Sequence, residues 1–192
     1  MTEIFPNITN NMALNFLNTR LFRNGKMVEI IQSVECLKAW SEVPMDDNES
    51  YNTQLSIFNT FVENMDELKP IISFRSELYH LLTSYLRNEL TESDLKNRIE
   101  EATLNNPFSL IFVDKKVIYV PAVSGIEGIQ SLIYLSLSEL IESGDINKLS
   151  HCANEGCPLL FINKNGRRKW CSMKICGNRA KVERFESKKT NS

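Results

Sequence analysis

Four cysteines in the last quarter of the 192-residue chain constrain its fold more than any other feature. They form two pairs with four residues between the members of each pair, and a thirteen-residue connector separates the pairs. Each pair can lie on one tight loop, so that four thiolates reach a single tetrahedral Zn²⁺. We therefore predict one structural zinc ion. Its predicted ligands are Cys152, Cys157, Cys171 and Cys176.

The cysteine spacing leaves other interpretations open. The usual spacing in such pairs is two residues rather than four, so a redox switch and a metal-free thiol cluster remain alternatives. His151 precedes Cys152 and is a further candidate ligand, although four cysteines already complete a tetrahedron. The fifth cysteine, Cys36, follows a helical apolar pattern with Leu37 and Trp40, which favours a buried small residue over a ligand or a redox sensor.

The sequence carries no signal for catalysis. Four thiolates leave no open position on the metal for a substrate. The chain has only two histidines, and it contains no glycine-rich phosphate loop and no nucleophile–base motif. We therefore expect no enzymatic activity and no catalytic residue. An enzyme acting in a pocket of the N-terminal part is the least supported of the function classes.

The composition predicts a globular protein of the cytoplasm. Hydrophobic residues make up 42% of the chain, which is enough for a sizeable core. No apolar run is long enough to cross a bilayer, and the N-terminal stretch lacks the basic region and cleavage site of a signal peptide. Disulfides are unusual in the cytoplasm, so clustered cysteines there indicate metal.

Charge is divided unevenly along the chain. Residues 164–192 hold 10 lysines and arginines against 2 acids, whereas the rest holds 12 against 22. An acidic body with a basic end indicates an end that binds a polyanion. The predicted nucleic-acid contacts are Arg167, Arg168, Lys169, Lys174, Arg179, Lys181 and Arg184. DNA is the favoured partner. RNA, a protein partner and simple compensation of the negative zinc–thiolate centre stay open.

Apolar periodicity predicts a mainly helical N-terminal part. Helices are expected over residues 11–22, 52–68 and 125–143, after Ser33, after Pro70, and from Thr91 with Asp94 three residues on. Alternating apolar runs predict a strand over residues 26–31 and a β-hairpin over residues 108–121. Asn15 and Asn18 interleave with apolar residues and are candidates for lining a ligand pocket. Helix surface and capping amides are an equal alternative for both.

The sequence predicts that the C-terminal part is a small separate module. Turn signals in residues 143–150 place the boundary near residue 149, which gives domains of residues 1–148 and 149–192. Asn165 and Gly166 predict a hairpin turn in the connector. Gly177 permits an unusual backbone angle, and Asn178 is a good N-cap for a final helix. The predicted fold class is therefore α+β: a mainly helical N-terminal domain with a small antiparallel sheet, followed by a treble-clef-like zinc finger.

Two stretches resemble known families. The pattern C-x4-C…F…NG-x-R-x-WCSM-x2-CGNRAK over residues 152–181 is similar to the CGNR zinc-finger family. The stretch MALNFLNT at residues 12–19 resembles the opening motif of the ABATE domain, which is usually found before that finger. The resemblance implies a bacterial transcription regulator, with a finger that binds DNA and a front domain that senses stress or a ligand. It brings no catalytic residues.

The sequence thus favours a transcription regulator that binds DNA through its zinc-dependent finger. The resemblance leaves room for a small-molecule effector and for a homodimer. The alternative is an adaptor that uses the same finger to bind another protein. The salt dependence of DNA binding separates these two functions.

Overall fold

The computed structural model describes residues 5–45, 48–113, 115–178 and 180–181. The helices in this part of the chain are α1 (Met12–Leu17), α2 (Val34–Ser41), α3 (Glu49–Val62), α4 (Lys69–Leu86), α5 (Glu92–Asn105) and α6 (Gly125–Glu142). The strands are β1 (Arg20–Arg23), β2 (Lys26–Glu29), β3 (Phe108–Val113), β4 (Lys116–Pro121), β5 (Leu149–His151) and β6 (Leu160–Ile162). A 3-10 turn at Asp145–Lys148 leads into β5, and a π-helical turn at Met173–Gly177 comes before the last helical residues.

The strands pair as three separate antiparallel ribbons, β1 with β2, β3 with β4, and β5 with β6. The predicted fold class is confirmed: a mainly helical N-terminal region with small antiparallel sheets is followed by a zinc finger built on four cysteines. The predicted β-hairpin over residues 108–121 forms, with pairs that run from Phe108 and Pro121 to Val113 and Lys116. None of the described helices is long and apolar enough to span a membrane.

Side-chain caps fix the starts of several helices. Ser33 accepts a hydrogen bond from the backbone N–H of Cys36, as its position before α2 predicts. Thr91 and Asp94 form the reciprocal capping box at the start of α5. Pro70 lies in the first turn of α4, where its missing N–H costs no helical hydrogen bond.

The predicted helix over residues 11–22 is wrong in its second half. Helix α1 ends at Leu17, and the chain then enters β1. Asn24 and Gly25, with φ of 52° and 75°, form the two-residue turn between β1 and β2. An Asn-Gly pair is the strongest short signal for such a turn, and here it overrides the helical spacing of the apolar residues before it.

Helix α1 lies at the centre of the hydrophobic core. All six of its residues are buried, and it contacts α3, α4 and α6. The ring of Phe16 lies 5.8 Å from Trp40, 6.3 Å from Phe58 and 6.2 Å from Phe74, measured between centroids. One short helix therefore joins the apolar faces of helices that are distant in sequence.

A buried arginine ties the first ribbon to α4. Arg75 is 2% exposed, and its guanidinium donates to the hydroxyl of Thr19 at 2.6 Å and to Oε1 of Glu29 at 2.8 Å. A second N–H donates to the other carboxylate oxygen of Glu29, which makes the pair bidentate. Glu29 also accepts from the backbone N–H of Ile31 at 3.1 Å. These bonds set the position of β2 relative to α4.

We expect Arg75→Met to lower the free energy of unfolding by about 2–3 kcal/mol, because Glu29 and Thr19 would lose their donor in a mostly buried place. Urea denaturation followed by circular dichroism measures the change. The matched control is Arg87→Met, which removes an ion pair with Glu89 whose partners are both more than half exposed. That control should leave the urea midpoint almost unchanged. Equal losses in the two variants would contradict the role given to Arg75.

Candidate metal centre and its surroundings

The four cysteines of the C-terminal part converge on one point. All four Sγ atoms lie within 4.8 Å of one another, and all four residues are buried. The sulfurs of Cys157 and Cys171 are 3.9 Å apart. A tetrahedron with Zn–S bonds of about 2.3 Å has edges of about 3.8 Å. The residues present therefore fit a four-thiolate zinc site, in which Cys152, Cys157, Cys171 and Cys176 would hold the ion.

Local structure brings the two pairs together. Cys152 and Cys157 lie on the loop between β5 and β6. Cys171 lies two residues before the π-helical turn that contains Cys176, and the side chain of Ser172 caps this turn by accepting from the N–H of Ile175 at 2.9 Å. The backbone N–H of Cys171 also points at the sulfur of Cys152, 3.3 Å away. Such N–H donors stabilise thiolate charge beside a metal.

Crowding separates the pKa values of the four thiols. Cys152 accepts hydrogen bonds from Cys157 and Cys171, which lowers its pKa. The bond to Cys152, together with burial, raises the pKa of Cys157 to about 12 and also raises that of Cys171. Burial raises the pKa of Cys176. A divalent cation needs all four as thiolates, so it must displace protons and must bind less tightly as the pH falls.

The predicted alternative ligand His151 is turned away from the cysteines. Its Nδ1 lies 3.0 Å from the carbonyl oxygen of Cys152, which can only accept, so Nδ1 carries the proton. Its Nε2 then accepts from the hydroxyl of Tyr79 at 3.1 Å. The guanidinium carbon of Arg20 lies 3.7 Å from the centre of the Tyr79 ring. The histidine thus joins the finger to β1 and α4 of the body. Tyr79 carried no signal in the sequence for this contact.

The finger and the body share a hydrophobic cluster. Leu21 of β1 and Ile30, the residue after β2, are buried against the four cysteines together with Leu159 and Phe161. Gly156 has a φ of 72°, and a side chain there would meet the Phe22 ring at 2.5 Å. Only glycine therefore permits this loop to approach the ribbon. The domain boundary near residue 149 stays a prediction, and the contact across it is apolar and close.

Asn15 and Asn18 have protein partners for their amides. Both are fully buried. Asn18 donates to the carbonyl of Leu160 at 2.9 Å and accepts from the N–H of Leu160 at 2.9 Å, which pairs α1 with β6. Asn15 accepts from Thr9 and donates to the Tyr51 hydroxyl at 3.2 Å. Neither amide therefore lies on a helix surface, and both hold elements of the fold together, while ligand binding by either residue stays an untested prediction.

The connector between the cysteine pairs differs from the predicted hairpin. A turn forms where predicted, since the N–H of Gly166 donates to the carbonyl of Asn163 and Gly166 has a φ of 66°. No strand follows it in residues 167–170, because β6 pairs with β5 instead. The side chain of Asn163 holds the connector by bonding the backbone N–H and carbonyl of Arg168 at 3.1 and 3.0 Å.

The expectations for Gly177 and Asn178 are also corrected. Gly177 has no positive φ and lies in the π-helical turn, where a side chain would meet the sulfur of Met173 at 2.5 Å. Glycine fits this position because of its small size and not because of an unusual backbone angle. Asn178 lies within helical backbone, and Ser172 provides the cap six residues earlier.

The predicted basic residues fall into two groups. Arg168 is exposed, but its guanidinium bonds to the finger itself: its Nε donates to the carbonyl of Trp170 at 2.9 Å, a further N–H donates to the carbonyl of Cys171, and its guanidinium lies over the Phe161 ring. Partial burial lowers its pKa, and the nearby thiols of Cys171 and Cys152 act in the opposite direction. The second group is exposed as well and comprises Arg167, Lys169, Lys174 and Lys181, joined by Lys164 of the connector. The predicted contacts Arg179 and Arg184 lie outside the described residues.

The remaining expectations concern Cys36, Trp170 and catalysis. Cys36 is half-buried and packs against the main core, apart from the metal centre. Trp170 is half-buried and packs against the cysteine cluster. That the chain has no enzymatic activity stays a prediction.

Comparison with known families agrees with this geometry. Residues 148–189 match the family described as the CGNR zinc finger. The matched stretch contains all four converging cysteines, β5, β6 and the π-helical turn. A search of curated proteins gave no match for the chain. The C-terminal part is therefore a CGNR zinc finger with one four-cysteine metal centre.

We expect freshly purified protein to contain one zinc ion per chain, measured by elemental analysis. Because binding releases protons, the apparent zinc affinity should fall by at least about tenfold per pH unit on acidification below pH 7. A titration against a competing chelator at several pH values measures this. Cys176→Ser should lose the metal, whereas the matched control Cys36→Ser should keep it. Less than half an equivalent of zinc in the unaltered protein would contradict the assignment.

Proposed function

We propose that the chain binds DNA through the exposed basic surface of its CGNR finger and acts as a transcription regulator. The resemblance of residues 12–19 to the ABATE domain supports a sensing role for the body. The observation that carries the proposal is a surplus of outward-facing positive charge around the metal centre. That charge exceeds what the zinc–thiolate group needs for its own compensation.

The two groups of cations differ in role: one compensates the charge of the metal centre, and the other is available to bind DNA. Arg168, although exposed, lies beside the thiols and donates to the carbonyls of Trp170 and Cys171, so it serves the centre itself. The other cations of the finger form no such bonds among the described residues. Among the residues that the structure describes, none of these exposed cations forms an ion pair: Lys164, Arg167, Lys169, Lys174 and Lys181. Unpaired cations on one small module form the electrostatic footprint of a nucleic-acid-binding surface.

The shape of this surface also suits a nucleic-acid strand. An open groove of about 600 Å³ is lined by Arg167, Lys169, Trp170 and Met173. The Met173 side chain is 52% exposed, and Trp170 is half-buried. Phosphates would meet the cations, and the apolar side chains offer contact to sugars and bases. Duplex DNA is favoured over RNA by the resemblance to transcription regulators.

We expect the zinc-loaded full chain to bind a labelled duplex with a slope of log K against log salt concentration of about −4, if about four cations contact phosphate. Arg167→Gln, Lys169→Gln and Lys174→Gln should each reduce that slope by about one. The matched control is Lys69→Gln, which removes an exposed lysine at the start of α4 in the body. Fluorescence anisotropy over a series of salt concentrations measures all four variants.

Two outcomes would contradict the DNA proposal. The first is no binding at low salt when zinc is confirmed in place, which would favour the protein-binding adaptor. The second is an equal effect of Lys69→Gln and the finger variants, which would show that only overall charge matters. Tighter binding to single-stranded RNA than to duplex DNA would move the proposal to RNA.

The sensing half of the proposal rests on a cleft between body and finger. It has a volume of about 790 Å³, within the usual range for small-molecule sites. Its walls come from the N-terminal loop, the end of α6 and the connector, and include Asn10, Asn11, Glu139, Ser143, Asn163 and Arg167. A molecule held there would contact both the body and the segment that carries the exposed cations.

We expect native mass spectrometry of gently purified protein to show a small-molecule adduct beyond zinc. Ser143→Trp should remove the adduct by filling the cleft, whereas Glu142→Trp, at the neighbouring exposed position outside the cleft, should keep it. Loss of the adduct in both variants, or its persistence in Ser143→Trp, would place the ligand elsewhere. The absence of any adduct in the unaltered protein would count against sensing through this cleft.

A further inference from the structure

Exposed apolar side chains are concentrated on the ribbon of β3 and β4. Nine large hydrophobic residues are exposed in the described part of the chain, and six of them lie on this ribbon. They are Leu110, Ile111, Phe112, Val113, Val117 and Tyr119. The other three are single residues elsewhere, which is normal for a protein surface. A contiguous apolar surface usually marks an interaction site.

Strand register divides these residues between two faces. Directly opposed residues share a face, so Leu110 with Tyr119 and Phe112 with Val117 lie on one side of the ribbon. We call these four residues the outer face. The opposite side carries Ile111 and other residues that line a groove against α3, so it is directed toward the body. The four residues of the outer face are 57%, 49%, 73% and 44% exposed in the order given, although the Tyr119 ring lies edge-on to the ring of Phe108.

Strand β3 lacks the usual protection against association. Strand β3 has the sequence FSLIFV, with no charged residue and no proline. Edge strands of soluble proteins generally carry such residues to prevent pairing with other chains. A two-stranded ribbon is also marginally stable without a packed face. Covering the outer face would therefore stabilise the ribbon as well as remove apolar surface from water.

We propose that the outer face packs against the same face of a second copy of this chain, so that the protein is a two-fold symmetric homodimer. A two-fold interface places one patch against itself and therefore requires self-complementarity. An uncharged apolar patch meets this requirement, since nothing in it repels its copy. The lysines of the ribbon, Lys115 and Lys116, lie at the turn. In an antiparallel arrangement the two turns point in opposite directions, which keeps these lysines apart.

The available area suits a dimer that can dissociate. The outer face presents about 400 Å² of exposed side-chain surface on each copy, given the size of aromatic and aliphatic side chains. Two copies with their rims would bury about 1,000 Å² in total, the lower end for a specific interface. Phe112 is the most exposed of the four and the natural anchor, since aromatic residues at the centre of a patch carry much of the binding energy. This dimer does not depend on DNA binding.

Analytical ultracentrifugation of the zinc-loaded full chain tests the proposal without DNA. We expect a species of twice the 22.1 kDa chain mass at micromolar concentration, dissociating on dilution. Phe112→Glu should weaken the dimer by at least about tenfold, because a carboxylate would be buried against apolar groups. Met27→Glu is the matched control, since Met27 is 53% exposed on the other ribbon of the body, and it should leave the dimer intact.

Hydrogen exchange provides a second measurement that needs no variant. Backbone amides of residues 108–113 and 116–120 should exchange more slowly above the dissociation constant than below it. The proposal is overturned if the unaltered chain stays monomeric up to about 100 μM, well above the micromolar concentration at which we expect the dimer. It is also overturned if Phe112→Glu remains as dimeric as Met27→Glu, or if the ribbon amides show no dependence on concentration.

Discussion

The contact between α1 and β6 joins the two parts of this protein. Asn18, at the end of α1, pairs both polar groups of its amide with the backbone of Leu160, at the start of β6. Every other residue of α1 is buried in the helical core, so the finger is attached to the most deeply buried element of the body. An unpaired amide or peptide group here would carry the full cost of a buried polar group. The position of the cysteine loop therefore follows from the packing of the core.

This attachment changes what zinc contributes. A free-standing finger of about forty residues depends on its metal for nearly all of its stability. Here Leu21 and Ile30 of the body complete the apolar cluster around the cysteines, and Gly156 permits close contact with Phe22. The metal centre and the first ribbon consequently stabilise one another. Loss of zinc would therefore destabilise the first ribbon. The bonds between Glu29 and Arg75 would pass that destabilisation to α4.

The sequence predicted some features well because their signals are local. The ligands follow from cysteine spacing, and the caps at Ser33 and Thr91 from the chemistry of one turn. Strand β2 lies within the predicted strand over residues 26–31, but β1 was missed although Asn24 and Gly25 carried a strong turn signal, because the apolar spacing before them also fitted a helix. The partners of Asn18 and His151 lie far away in sequence and follow no periodic pattern. Only the assembled fold brings such groups together.

The contacts of Arg168 also distinguish it from the other cations of the finger. All three of Arg167, Arg168 and Lys169 line one groove, but only Arg168 is fixed by backbone carbonyls and an aromatic ring beside the thiols. Asn163 holds the backbone of Arg168 on one side, and the same connector forms one wall of the cleft toward α6. A molecule in that cleft would therefore contact a segment whose geometry is set by the metal centre. Arg168 keeps its own place against Phe161 and the carbonyl of Cys171. A displacement of the rest of the connector would therefore move the exposed cations relative to Arg168.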